Sequence, residues 1–91
     1  MPMCESCVGC LAYSMCGRDR KRLFCVVGVC DEDFVLLANG DLRKLDRPKR
    51  KRLKHLQFTG ARIEIPHDDE TLRRRIADYE FEARRDYSAE G

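Results

Sequence analysis

Short apolar stretches separated by charged turns fill the first forty residues, and they commit this part of the chain to β-structure. Val8 to Met15 fits a first strand. Leu23 to Cys30 is rich in Val and suits a buried second one. Phe34 to Ala38 follows as a third, with Phe34, Leu36 and Ala38 sharing one face by the period of two. The turns are Gly17 to Arg22, which reads Gly-Arg-Asp-Arg-Lys-Arg, and Asp31-Glu32-Asp33. Gly28, inside the second stretch, marks a bulge or a close backbone approach.

Asn39-Gly40 comes directly after the third stretch. This pair favours the positive φ values of a two-residue type I′ hairpin, so Asp41 to Leu45 is expected to return as a partner strand. Pro48 cannot donate to a ladder, which makes Arg47 to Arg52 an edge or a loop rather than a central strand. Leu56 and Phe58 alternate and start a last strand reaching Ile63 and Ile65, weakened by Gly60 and Pro66. Asp68 then serves as an N-cap, with Asp69 and Glu70 complementing the helix dipole. Leu72, Ile76, Tyr79 and Ala83 form one helical stripe, predicting a C-terminal helix from about Asp69 to Arg85.

Five short strands and a terminal helix in 91 residues define one mainly β domain. The strand lengths favour a small SH3-like β-barrel over an OB-fold, because no helical pattern lies between the middle strands. The expected organisation is a flexible segment over 1–7, a barrel over 8–66, and a helix and tail over 67–91.

The segment Arg43 to His55 carries the strongest functional signal. Eight of its thirteen residues are cationic (Arg43, Lys44, Arg47, Lys49, Arg50, Lys51, Arg52 and Lys54), against one acid, Asp46. Built into or beside a sheet, such a run makes a fixed cationic surface whose natural partner is a polyanion. Arginine offers a planar fork to phosphate oxygens and lysine a point charge. The plain alternative is a solvated, protected sheet edge. Arg18, Arg20, Lys21 and Arg22 form a second basic group, which alone reads as an ordinary charged turn.

The net charge of +2 hides an asymmetry. Residues 1–62 hold thirteen Lys/Arg against seven Asp/Glu, and residues 63–91 hold five against nine. With no Trp and only seven Phe and Tyr residues, little room is left for an enclosed substrate cavity. No Ser/His/Asp grouping or phosphate-binding glycine loop is present, and His55 and His67 are too far apart in sequence to suggest a catalytic pair. The expectation is a binding protein, not an enzyme, with no cofactor. No apolar run is long enough to span a membrane, and the N-terminus lacks a secretory pattern. A cytoplasmic, monomeric protein with reduced thiols is therefore expected.

The six cysteines are the rival signal. Cys4, Cys7 and Cys10 have Cys-x-x-Cys-x-x-Cys spacing, with Cys16 six residues on. Thiolates so spaced can hold zinc or an iron–sulfur cluster. No second Cys-x-x-Cys unit exists, however. The alternative makes Cys10, Cys25 and Cys30 small buried residues and Cys4 and Cys7 incidental; no metal is expected. Tyr13, Phe24, Phe34 and Phe58 are spaced as strand core residues, although one of them in an exposed position would offer a stacking platform for a base.

Several of these features coincide: the turn Gly17-Arg18-Asp19-Arg20-Lys21-Arg22, the strands Leu23 to Cys30 and Phe34 to Ala38, Asn39-Gly40, and Arg47-Pro48-Lys49-Arg50-Lys51 with Lys54-His55-Leu56. Together they resemble the bacterial KOW-domain RNA-binding proteins, relatives of the archaeal and eukaryotic large-subunit ribosomal proteins that carry an SH3-like KOW barrel. The resemblance covers roughly Gly9 to Thr59. It implies an SH3-like barrel, RNA as ligand, ribosome association and no catalysis. By position, it puts RNA contacts on Arg18, Arg20 and Arg22 and on the Pro48 to His55 segment. Such sequences usually carry a glycine late in the first turn, where this chain has Lys21, which suggests a relaxed turn or a shifted contact.

The resulting expectation is phosphate binding to structured RNA, ribosomal RNA above all, with ribosomal proteins as neighbours. Its candidate contacts are Arg18, Arg20, Lys21, Arg22, Arg43, Lys44, Arg47, Lys49, Arg50, Lys51, Arg52, Lys54 and His55. The rival from another class is a protein-docking module of a translation or transcription complex.

Overall fold

A computed structural model describes residues 7–18 and 20–90, with side-chain surroundings up to residue 83. The expected flexible segment lies almost wholly outside the described residues. Five strands form one antiparallel sheet: β1 (Cys10–Ser14), β2 (Leu23–Val29), β3 (Phe34–Ala38), β4 (Lys49–Arg52) and β5 (Leu56–Arg62). Their spatial order is β4-β3-β2-β1-β5. The helix α1 (Asp69–Glu90) follows.

The sheet is strongly curled, because strands at its two edges are neighbours in sequence. Only the 3-10 turn Leu53–His55 separates β4 from β5. Four strand spacings in a flat sheet amount to about 19 Å, more than the roughly 14 Å that four fully extended residues span. The turn bonds to both sides of the sheet. The Leu53 N–H donates to the Asp33 carbonyl at 2.7 Å, and the Met15 N–H donates to the His55 carbonyl at 2.9 Å. No ladder joins β4 to β5, so the sheet ends in two edges.

Both faces of the sheet are used, as the alternation along β2 shows. Phe24 and Val26 pack on one face with Val35, Leu37 and Cys7, flanked by Leu53 and Leu56. Leu23 and Cys25 pack on the other with Leu11 and Ala38, under Leu72 and Ile76 of α1. Burying Leu72 and Ile76 contributes roughly 1.5–3 kcal/mol each. The pairing shifts between Val26 and Gly28, which is the bulge expected at that glycine.

Asn39-Gly40 does not make a two-residue hairpin, and Asp41 to Leu45 is not a strand. The partner of β3 is β4, with Val35 opposite Lys51 and Leu37 opposite Lys49. Asn39 organises the intervening loop instead: its Oδ1 accepts from the N–H groups of Asp41 and Arg43, each at 3.0 Å. Gly40 has φ +76°, and a Cβ there would run into the Asp69 carbonyl and lie 2.9 Å from the Arg73 nitrogen. That glycine serves close approach to the helix rather than a tight turn. Asp69 ties the loop down by accepting from the Leu45 N–H at 2.7 Å.

Asp68 caps α1 as expected, accepting from the Thr71 N–H at 2.8 Å. This bond, the Thr71 hydroxyl and the nearby His67 hold its carboxyl below the ordinary range. The predicted stripe faces the sheet: Leu72 and Ile76 are buried and Tyr79 half-buried. The helix continues to Glu90, past the expected end.

Candidate nucleic-acid interface

Strand alternation sorts the densest cationic run into two rows. Lys49 and Lys51 face the side of Val35 and Leu37, while Arg50 and Arg52 pair with Leu36 and Phe34 on the opposite face. Lys51 is only 8% exposed, and its Nζ donates to the Cys16 carbonyl at 2.8 Å. It thereby links β4 to the end of β1, three strands away in the order. Its amine is engaged inside the fold, where it braces the curled sheet. Lys49 is half-buried, whereas Arg50, Arg52 and Lys54 are exposed.

The outer row is organised around an aromatic ring. The guanidinium carbon of Arg50 lies 4.0 Å from the centroid of Phe34, and that of Arg52 lies 5.0 Å from it. Phe34 is therefore not the core residue its spacing suggested. Val35 and Leu37 fill the deep core, while Phe34 and Leu36 are half-buried on the other side. Phe24 is buried as expected, and Phe58 on β5 is 38% exposed. The parity of Phe34 with Leu36 rather than Val35, and the Lys-Arg-Lys-Arg alternation of β4, are the sequence signals that could have revealed this platform.

The second basic group sits in the β1–β2 turn. The Lys21 N–H donates to the Ser14 carbonyl, and the Ser14 N–H donates to the Arg22 carbonyl at 3.0 Å, so two residues oppose one. Lys21 has φ +71°, the only positive value outside glycine among the described residues. The turn is thus not relaxed, since Lys21 adopts a conformation that normally takes glycine. Arg18, Arg20, Lys21 and Arg22 are all exposed. Arg22 pairs with Asp41 at 3.4 Å, an exposed contact of small energetic weight. Arg73 of α1, not among the candidates, joins Lys21, Arg22, Asn39, Asp41 and Glu80 around an open cleft of about 320 Å³.

The remaining candidates lie between these groups. Lys44 and Arg47 are exposed in the β3–β4 loop, while Arg43 and His55 are half-buried. The acidic turn before β3 meets the end of β4: Glu32, Asp33, Arg52, Leu53 and Lys54 line a common surface cleft.

The cysteines disperse. Cys7 and Cys25 are buried on opposite faces of the sheet, Cys10 is half-buried, and Cys16 and Cys30 are exposed. This corrects the incidental Cys7 and the buried Cys10 and Cys30, and leaves Cys25 as the buried residue that was expected. Burial, with a smaller contribution from Cys10, pushes the Cys25 thiol up to about 12. Among the described residues, no three His, Cys, Asp or Glu side chains stand together as a metal site. Cys4 lies outside the described residues. No described helix is long and apolar enough to cross a membrane.

Compared with models of known protein families, the sequence matches none.

Proposed function

We propose that this protein binds structured RNA, ribosomal RNA above all, through the outer face of β4 and the β1–β2 turn. In this reading the curled sheet is an SH3-like barrel of the KOW type, and the protein works at the ribosome without catalysing a reaction. The observation that carries it is the fixed row of Arg50 and Arg52, held on Phe34 and followed by exposed Lys54. Arg18, Arg20, Lys21 and Arg22 form a second line of exposed cations. A solubilising edge has no need to hold two guanidinium groups against one ring. A polyanion site gains from it, because pre-oriented forks lose less freedom on meeting phosphate.

Folded RNA is read largely by shape and backbone. Four phosphate contacts would give a log–log salt slope of roughly −2.8 to −3.6. Ultraviolet crosslinking in cells, followed by sequencing of the bound RNA, tests the proposal. Reads concentrated on a few ribosomal RNA positions are expected. No enrichment over an uncrosslinked control would reject it and favour a protein-docking role.

A further inference from the structure

We propose that Phe34, Arg50 and Arg52 form a stacking site for one unpaired RNA base, which makes the ligand an RNA with a looped-out or single-stranded nucleotide. This inference rests on the RNA-binding reading above and adds a selectivity that phosphate contact alone does not provide.

The β3–β4 register places Arg52 opposite Phe34 and Arg50 opposite Leu36, on one face of the sheet. Both guanidinium groups lie over the same ring, at 4.0 and 5.0 Å. A guanidinium held this way is biased towards one placement before any ligand arrives. It presents a flat cationic surface on which a base can stack. Lysine would give only a point charge, and on β4 the lysines occupy the other row.

The floor beside the ring is low and apolar. Leu36 lies across Gly28, where an added Cβ would come within 3.2 Å of its Cδ1. This face of the sheet runs on from the part covered by α1, and here Arg50 and Arg52 remain exposed. The neighbouring acids point the same way. Glu32 and Asp33 border the cleft shared with Arg52 and Lys54. Carboxylates repel a phosphate, but they accept hydrogen bonds from the exocyclic amino group of a base.

The full-length protein is titrated against two labelled RNAs with equal numbers of phosphates. One is a hairpin with an unpaired adenosine loop, and the other is a fully paired duplex. Three variants are compared with the native protein: Phe34→Leu, the double substitution Arg50→Lys with Arg52→Lys, and Phe58→Leu as a ring on the far edge strand. The first two should weaken hairpin binding by roughly 5- to 100-fold, the range of one lost stacking contact. Duplex affinity should fall by a much smaller factor, that of the lost fork geometry alone, at an unchanged salt slope, and Phe58→Leu should match the native protein on both RNAs. Equal losses on hairpin and duplex, or no loss on either, would overturn the stacking site while leaving RNA binding intact. Native protein that binds neither RNA at physiological salt would overturn both readings. Should Phe34→Leu melt early, the lysine pair decides, since it changes two exposed positions and keeps their charge.

Discussion

In the β1–β2 turn, Arg18, Arg20, Lys21 and Arg22 are all exposed, and Arg22 pairs with Asp41, whereas the cations along β4 have two distinct jobs. Lys51 turns inward to the Cys16 carbonyl, and Arg50 and Arg52 turn outward onto Phe34. In the turn, backbone geometry is the constraint, and it falls on Lys21. On the strand, side-chain geometry is the constraint, imposed by the ladder with β3. Counting cations therefore says little about what each one does; their place in a turn or on a strand row decides it.

Substitutions can break this comparison, beginning with Lys51. Lys51→Ala removes a buried charge-assisted hydrogen bond and its packed stem. It should cost about 1.5–3 kcal/mol in urea unfolding. The salt slope of RNA binding should not change. A changed slope at unaltered stability would place Lys51 among the phosphate contacts.

Arg50→Gln combined with Arg52→Gln is the opposite case. RNA affinity should fall at least tenfold, about 1.4 kcal/mol, with the salt slope reduced by roughly 1.4–1.8. Stability should change by less than about 1 kcal/mol, since both side chains are exposed. Filter binding over a salt series, paired with thermal melts, measures both effects.

Lys21→Gly sharpens the turn side of the comparison. Relief of the positive φ outweighs the added freedom of the unfolded chain, giving a gain of about 0.5–1 kcal/mol. RNA affinity should fall only slightly, by one solvated charge. A loss of stability would mean that the Lys21 side chain supports the fold through contacts stronger than its backbone strain.

The smallest effect is kinetic, and it reads both regions at once. Cys16 follows β1 beside the turn, and Cys30 follows β2 with its N–H donating to the Phe34 carbonyl at 3.0 Å. Bound RNA should slow alkylation of Cys30 more than that of Cys16. Cys25 should stay unlabelled at pH 8 in either state, since burial pushes its thiol up to about 12. The same shift predicts falling stability above pH 9, where the unfolded chain releases a proton that the folded thiol keeps. Peptide mapping after timed alkylation, and urea midpoints at pH 8 and 10, test these statements.

Much of the fold was legible in the sequence, because local signals agreed with the final packing. β3 begins and ends where the apolar run does, the Gly28 bulge was readable, and Asp68 with the Leu72, Ile76 and Tyr79 stripe gave the start and face of α1. Asn39-Gly40 misled because two different needs select the same dipeptide. Hairpin turns want glycine for its φ, and here Gly40 is also required where the backbone meets Asp69 and Arg73 of α1. The basic surface was legible as a composition but not as an arrangement. Only the register of β4 against β3 separates Lys51 from Arg50 and Arg52, and that register depends on a long loop whose length no local rule sets. Phe34 was hidden as well, since it is only half-buried at the end of the sheet beyond the residues that pack under α1.

The most direct test of the central claim is to crosslink the protein to RNA with ultraviolet light and map, by mass spectrometry, which peptides carry a nucleotide. The account predicts adducts on peptides containing Phe34 and Arg50 to Lys54, with weaker labelling from Arg18 to Arg22. Adducts confined to α1, or none above the unirradiated control, would contradict it.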